Sequence, residues 1–538
     1  MRRGTLSVAV AAAVGVWWIG GCNCGGRPCS NPSECSPGEV CQQGMCASNP
    51  DGSTGGDGGG GDGGGRDGGG GGNDGGDGGG GTCTGLQCQQ VSCPGGGTTS
   101  LTGSIYDPSG TIPLYNAVVF VPNAPLQPFA AGVNCDVCGA SISGAPIAIT
   151  LTGPDGRFTL NNVPVGNNIP LVLQMGRWRR TVTIPAVPAC TSTPITDVNM
   201  LRLPRNQSEG DIPQMAIATG DADPFECLFK KMGIDDSEFT RPDAGGRIHF
   251  YRQNGLRLDG GSPAASTLWS DAGTLARYDV VLLPCEGGEN RKPDAGIANL
   301  VNYTTAGGRV FATHYSYVWA AFNQPFQSAA NWQPDPGQNT NPAASGSPFT
   351  VAVNQSFPKG QAFAQWLTNV GASSTPGLLD IYDSRDDVWT SDGGFPATEW
   401  LSAPNPNNGN IPSLQHLTFN VPLNPPPLPD GDAGVQCGRV VFSDFHVATS
   451  AIRSKSITFP QTCILDGGFT PQEKALVFML FDLSSCVQSD DTAPTTCLPS
   501  GGACSTDSQC CAGLTCRDPA DVPCNGSGSG CSCKPWIN

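Results

Sequence analysis

Between Asp51 and Gly81 the chain carries nothing that a core could bury. Glycine fills most of the tract, and six aspartates and one arginine add a charge of −5. Such a segment cannot offset the entropy of ordering its own backbone, so residues 51–81 are predicted to be an unfolded linker. A Gly-rich coil of that length has an r.m.s. span on the order of 30 Å, which repulsion between the aspartates extends. Whatever folds in this 538-residue chain must therefore fold separately on either side of the tract.

The short side begins with Arg2-Arg3, an apolar run from Leu6 to Ile19, and then Ile19-Gly20-Gly21-Cys22. A positive start, a short apolar stretch and small residues directly before cysteine look like a bacterial lipoprotein signal. The run is too short for a permanent span, which needs about 20 apolar residues. Residues 1–21 are expected to be removed and Cys22 to become the lipid-carrying residue. Several acyl chains on one cysteine exceed the single-chain threshold for stable anchoring. The expected location is the cell envelope, lipid-anchored on the exported face, at the outer membrane or cell surface. An ordinary secretory signal, with Cys22 in a disulfide, is the alternative.

Of the 25 cysteines, 24 remain if Cys22 is lipidated, an even number that suits a disulfide framework in an oxidising compartment. Residues 22–50 form a first small module around Cys29, Cys35, Cys41 and Cys46. It has little apolar material, so disulfides would hold it, and it lacks the His and close CxxC pairs of structural zinc sites. Residues 495–538 form a second: Cys497-x6-Cys504-x5-Cys510-Cys511-x4-Cys516, then Cys524, Cys531 and Cys533. That spacing resembles the cystine-knot miniproteins, whose exposed loops bind protein targets; a stable end-cap is the other reading. A net charge of −17 makes nucleic acid an unsuitable partner, because phosphate contacts need clustered Lys and Arg.

Residues 82–205 read as all-β. Short apolar or alternating segments at 101–106, 117–121, 147–152, 157–160, 171–175 and 178–184 are separated by turns such as Asp107-Pro108-Ser109-Gly110 and Gly153-Pro154-Asp155-Gly156. The spacing predicts a β-sandwich. Gly103-x-Ile105-Tyr106-Asp107, Pro113-Leu114, Ala117-Val118-Val119, Thr152-Gly153-Pro154-Asp155-Gly156-Arg157-Phe158 and Leu160-Asn161-Asn162-Val163-Pro164-x-Gly166 resemble the carboxypeptidase regulatory-like (transthyretin-like) domain. That resemblance implies a non-catalytic spacer or binding module. An insertion at 123–144 carries Cys135-x-x-Cys138, expected to form structural disulfides with Cys88, Cys93 or Cys190. The one basic cluster, Arg177-Trp178-Arg179-Arg180, is a candidate surface for anionic glycans through Arg177, Trp178 and Arg179. A strand with Trp inward and its arginines in solvent is the blander alternative.

Residues 213–488 alternate β and α. Strands are predicted at 215–219, 247–251, 278–284, 309–313, 416–421 and 439–444, with helices at 224–232, 295–305, 360–370 and from Pro471 to Leu483. Thr470-Pro471-Gln472-Glu473 is a capping box with Pro at the first helical position. The alternation predicts a doubly wound, flavodoxin-like parallel sheet. Sites in such sheets lie beyond the carboxyl ends of the strands. Those ends carry Asp221, Asp223, Cys285, Glu286, His314, Asp444 and His446.

The runs Tyr278-Asp279-Val280-Val281-Leu282-Leu283-Pro284-Cys285-Glu286-Gly287-Gly288, Gly307-Gly308-Arg309-Val310-Phe311-Ala312-Thr313-His314 and Val441-Phe442-Ser443-Asp444-Phe445-His446 resemble the class I glutamine-amidotransferase-like fold, including its trehalose-utilisation-like relatives. There a strand runs into Gly-x-Cys-x-Gly, with the nucleophile on a tight elbow. This chain has Ala312-Thr313-His314-Tyr315-Ser316 instead, and Val447-Ala448 replaces the Pro-Glu that orients the family's histidine. Without nucleophile or orienter no glutaminase triad is expected. Cys285, in the loop that supplies that family's oxyanion hole, is expected to form a disulfide with Cys227. His314 and His446 could ligate a metal with Asp444 or Asp221, but no fixed motif such as H-E-x-x-H is present, so neither metal nor cofactor is predicted. The expected function is non-enzymatic binding, adhesion or structure at the envelope, with the membrane and envelope glycans or proteins as partners. The alternative is an envelope hydrolase of carbohydrate or peptide using His314, His446 and Asp444.

Overall fold

In a computed structural model of the chain, the described residues are 39–42, 45–48, 83–138, 142–255, 257–258, 260–391, 393–427, 434–447, 457–494, 510, 514–518, 522–524 and 531–535. They fall into two units, residues 1–80 and 81–538. The expected signal, Cys22 and the 51–81 linker lie outside the described residues. In the first unit the strands Glu39–Gln42 and Met45–Ser48 pair antiparallel, with Cys41 opposite Cys46.

The second unit is a multi-sheet mixed α/β structure. Ser100–Ser104 lies between Arg157–Asn161 and Ser192–Pro194 in one sheet. Pro146–Leu151, Val118–Pro122, Gly166–Met175 and Trp178–Val187 form another, antiparallel throughout. Period-two patterning makes these strands: in Arg157–Asn161 only Phe158 and Leu160 are buried, and they join Leu101, Val119, Val121 and Leu171 in one core. The turn before that strand closes on Gly156, at φ +74°, a left-handed position that favours glycine.

The largest sheet has its main strands in the order Phe239–Thr240, Ile248–Arg252, Met215–Thr219, Val280–Leu283, Arg309–Thr313, Gly438–Ser443, Pro412–Val421, Thr398–Pro404, Pro348–Val353, Leu378–Tyr382. The first six run parallel. The remaining four form an antiparallel wing, so the expected parallel pairing fails for the strand carrying residues 416–421. Alternation assigns the two faces of the parallel part. Met215, Ile217, Val280, Leu282, Phe311 and Val441 face one core, with Phe225, Phe363, Trp366 and the Pro471–Ser484 helix. Ala216, Ala218, Val281, Leu283, Val310 and Phe442 face another, with Trp269 and the Asp294–Thr305 helix. Cover on both faces explains why these central strands are apolar at successive positions rather than alternating. Thr470 caps its helix as expected, with its side chain accepting from Glu473 N and the Glu473 carboxylate from Thr470 N.

The first core also contains the interior residues of the two smaller sheets, so residues 83–203 and the α/β part share one apolar interior. Two disulfides add to this: Cys135 pairs with Cys437 and Cys138 with Cys486. The expected partners Cys88, Cys93 and Cys190 are taken otherwise, as Cys83–Cys88 and Cys93–Cys190. The two cysteines of the 123–144 insertion are thus tied to the α/β part and not to the insertion's own sheets.

The basic cluster is no surface. Arg177 is buried and ion-paired to Asp279 at 2.5 Å, donating also to the carbonyls of Ala130 and Gly132. Trp178 is buried edge-on to Phe481, and Arg179 is buried against Asp211 at 2.9 Å with Phe129 beneath its guanidinium. Neither the glycan-binding reading nor solvent-facing arginines fits residues that cement two parts of one unit. Among the described residues no helix is long and apolar enough to cross a membrane.

Candidate functional site

Four neighbouring parallel strands, Met215–Thr219, Val280–Leu283, Arg309–Thr313 and Gly438–Ser443, end at the same edge. Strand order reverses direction at Met215–Thr219: the chain goes to Ile248–Arg252 on one side, then to Val280–Leu283 on the other. Ligand crevices in open α/β sheets form at such switch points. The loops following those four strands deliver Asp223, Cys285, His314 and His446. Gly220 lets the first two loops close up, since a Cβ there would stand 2.3 Å from the Cys285 carbonyl oxygen.

These side chains meet. Asp223 Oδ1 bonds His446 Nδ1 at 2.8 Å and accepts from Val447 N at 2.8 Å. Its Oδ2 accepts from the Thr313 hydroxyl and from Cys285 N at 3.3 Å. The His314 and His446 rings stack with centroids 3.8 Å apart and planes 24° apart. Cys285 Sγ lies 3.3 Å from His314 Nδ1 and accepts from Gly287 N at 3.3 Å. His314 holds φ +52°, in the left-handed region that side chains seldom adopt. Asp223 and Cys285 are fully buried and His314 nearly so, while the His446 side chain keeps 17% exposure.

Environment separates the two imidazoles. Burial, reinforced by His446 and Arg385, holds His314 well below the ordinary histidine pKa, so it is a neutral ring. Burial also opposes charge on His446, but the Asp223 carboxylate outweighs it and raises that pKa above the ordinary value. The Cys285 thiol is pushed far up by burial and by the charge of Asp223, which argues against an unaided thiolate nucleophile.

Several expectations are corrected here. Cys285 is a free thiol, because Cys227 pairs with Cys463. A free Cys285 leaves 24 other cysteines with Cys22 among them, so parity no longer singles out Cys22. Asp444 does not serve His446: its Oδ2 accepts from Asp387 N at 2.7 Å, its carbonyl accepts from Arg385 N, and burial beside Asp387 keeps its carboxyl protonated well above the usual range. The missing orienter is supplied by Asp223. Glu286 is buried in an ion pair with Lys292, which lies near the Trp269 and Trp319 rings, and Asp221 packs under Gly287, so neither is among the groups gathered on the imidazoles. Sequence reasoning missed Arg385, buried, clamped by Asp387 and stacked 3.9 Å over the Tyr315 ring. Its signal was the charged run Asp383-Ser384-Arg385-Asp386-Asp387 directly after a strand.

No protein-family model matches the chain, and no curated protein matches it. Among solved structures it is similar to a cytoplasmic protein from Salmonella typhimurium, at 10% identity over 51% of this chain and 98% of that one, with a TM-score of 0.27. It is also similar to two proteins described as ThuA-like. The one from Bacteroides uniformis has 13% identity over 49% and 88% of the two chains and a TM-score of 0.23. The one from Parabacteroides merdae has 10% identity over 60% and 96% and a TM-score of 0.26. Likeness this slight carries nothing about the chemistry of the site, which rests on the geometry above.

Proposed function

We propose that this chain is a cell-envelope protein, held at the exported face by lipid on Cys22, whose α/β part carries a hydrolytic site for envelope carbohydrate or peptide. The carrying observation is the 2.8 Å bond from Asp223 to His446 Nδ1. A buried carboxylate that fixes one ring nitrogen leaves the other, Nε2, as the nitrogen that acts, and His446 is the member of the cluster open to solvent. A ring bonded only to backbone would have favoured adhesion alone. The residues at 82–205 and the cysteine module at 495–538 keep the non-catalytic binding role that their resemblances imply, with envelope glycans or proteins as partners and no nucleic acid. The resemblance to the amidotransferase-like fold fits as well: His314, with its left-handed φ, stands where that family places its nucleophile.

The test is turnover by the full chain on a panel of chromogenic glycosides, esters and peptides. H446Q is expected to lower kcat/KM on the responding substrate at least ~100-fold, the low end of what one acid–base side chain contributes. D223N should lower kcat more than it raises KM, as expected of a positioning residue. C22S should leave turnover intact while moving the protein from the membrane to the soluble fraction. Absence of turnover on every class would refute the hydrolytic reading and leave binding; retention of C22S on membranes would refute the lipid anchor.

A further inference from the structure

We propose that Cys285, His314 and His446 bind a borderline divalent cation of the zinc class, through one thiolate and two neutral imidazoles. The cation belongs to the site of the hydrolytic reading above and rests on that reading only for its place in the protein's activity; with the ion held, His446 Nε2 is a ligand and no longer an acid–base group, and water on the ion would supply the nucleophile. One ligand atom from each of the three residues lies within 4.8 Å of the others. The 3.3 Å from Cys285 Sγ to His314 Nδ1 is close to the tetrahedral edge of about 3.6 Å that follows from Zn–S and Zn–N bonds of about 2.3 and 2.1 Å. The second imidazole lies beside the first, its ring centroid 3.8 Å away, and has to tilt out of the stack for Nε2 to reach a common ion.

The surroundings of the three groups have the form expected around metal ligands. A ligating histidine usually gives its other nitrogen to a carboxylate or a backbone carbonyl, which fixes ring and tautomer. His446 does so to Asp223, leaving Nε2. Gly287 N–H already donates to Cys285 Sγ, as it would to a bound thiolate. Asp223 is itself held by Thr313, Cys285 N and Val447 N, so the outer layer is tied to the same strand ends as the ligands. On binding, the Cys285 thiol proton passes to solvent, as does any proton that the Asp223 carboxylate holds on His446; the thiolate and the Asp223 carboxylate then balance the two charges of the ion. Three protein ligands leave a fourth tetrahedral position, the arrangement of catalytic rather than closed structural sites, with His446 as the side open to solvent. Sulfur and nitrogen donors select zinc-class ions over Mg²⁺ or Ca²⁺, which require oxygen.

The test uses the full chain without a polyhistidine tag, titrated with Co²⁺ alone and then with Zn²⁺. One equivalent of Co²⁺ is expected to give the visible bands of a tetrahedral ion and a near-ultraviolet thiolate-to-cobalt charge-transfer band, both abolished by Zn²⁺. C285S should lose the charge-transfer band. D223N should keep it while weakening Co²⁺ binding about 10–100-fold. H446Q, at the most exposed ligand, should weaken binding at least as much without disturbing the fold. No charge-transfer band in the wild type, or a band that survives in C285S, overturns the cation site. A band without turnover on any substrate upholds the cation and sinks the hydrolytic reading. Turnover indifferent to chelators, with no band, does the reverse.

Discussion

Glu226, in the first turn of the helix Phe225–Lys231, is fully buried, and neither of its carboxyl oxygens has a hydrogen-bond partner. Burial first, and the Asp223 carboxylate nearby, push its pKa from 4.5 to about 8. An acid whose folded pKa lies above its unfolded value takes up a proton on folding between the two. Its contribution to stability is therefore greatest below about pH 4.5 and is lost as pH rises through 8. At about 1.4 kcal/mol per pH unit, the span from 4.5 to about 8 is worth on the order of 5 kcal/mol, of which about 4 kcal/mol falls between pH 5 and pH 8.5. E226Q keeps the shape and removes the titration. Chemical denaturation at pH 5 and pH 8.5 should show wild type losing about 4 kcal/mol relative to E226Q, with the variant the more stable at pH 8.5. Parallel pH profiles for the two proteins would refute the claim that Glu226 folds as a neutral acid.

Two further expectations concern an ion cluster inside the α/β part and the joint between that part and residues 83–203. Lys359 and Arg439 share Asp482 and Asp490 in a buried quartet with N···O distances from 2.7 to 3.0 Å, so K359M leaves two buried carboxylates with one cation. It should cost about 3–5 kcal/mol in urea unfolding; a loss under about 1 kcal/mol would mean that water reaches the quartet. C138A/C486A should cost about 2–4 kcal/mol, the usual range for a native bridge, because Cys135–Cys437 still ties the same insertion to the α/β part. An unchanged midpoint would show that the shared core alone fixes the joint.

Strand ends were legible in the sequence where apolar runs stop against polar residues: Met215–Thr219 and Arg309–Thr313 fall where the pattern puts them, and with them Asp223 and His314. The antiparallel wing was not. Pro348–Val353 does alternate, with Phe349, Val351 and Val353 inward, but the surrounding Pro- and Asn-rich chain obscures a six-residue signal. Partnership across the sheet was also invisible. Asp444 is two residues from His446 and invites pairing, yet the antiparallel wing lies on that side and its 385–387 loop claims the carboxyl. Asp223 follows the Met215–Thr219 strand, three places away in the sheet from the strand preceding His446, and no local pattern encodes a contact of that reach. Cysteine parity does not discriminate, because an even number is left by removing either Cys22 or Cys285.

The left-handed conformation of His314 joins these observations. A side chain held at positive φ costs about 1–2 kcal/mol, so the surrounding structure must enforce it. Here Thr313, the residue before the bend, bonds Asp223, while the His314 ring is fixed by Cys285 Sγ and by the stacked His446. A structural histidine would need none of this, since an extended strand end could bury a neutral ring without the bend. The bend turns the ring out of the strand direction to where the neighbouring loops deliver a thiol and a second imidazole. Strain of that kind persists where several groups must converge on one point, which is why the four strand ends, and not the larger apolar interfaces of the unit, are where the chemistry of this chain should be sought.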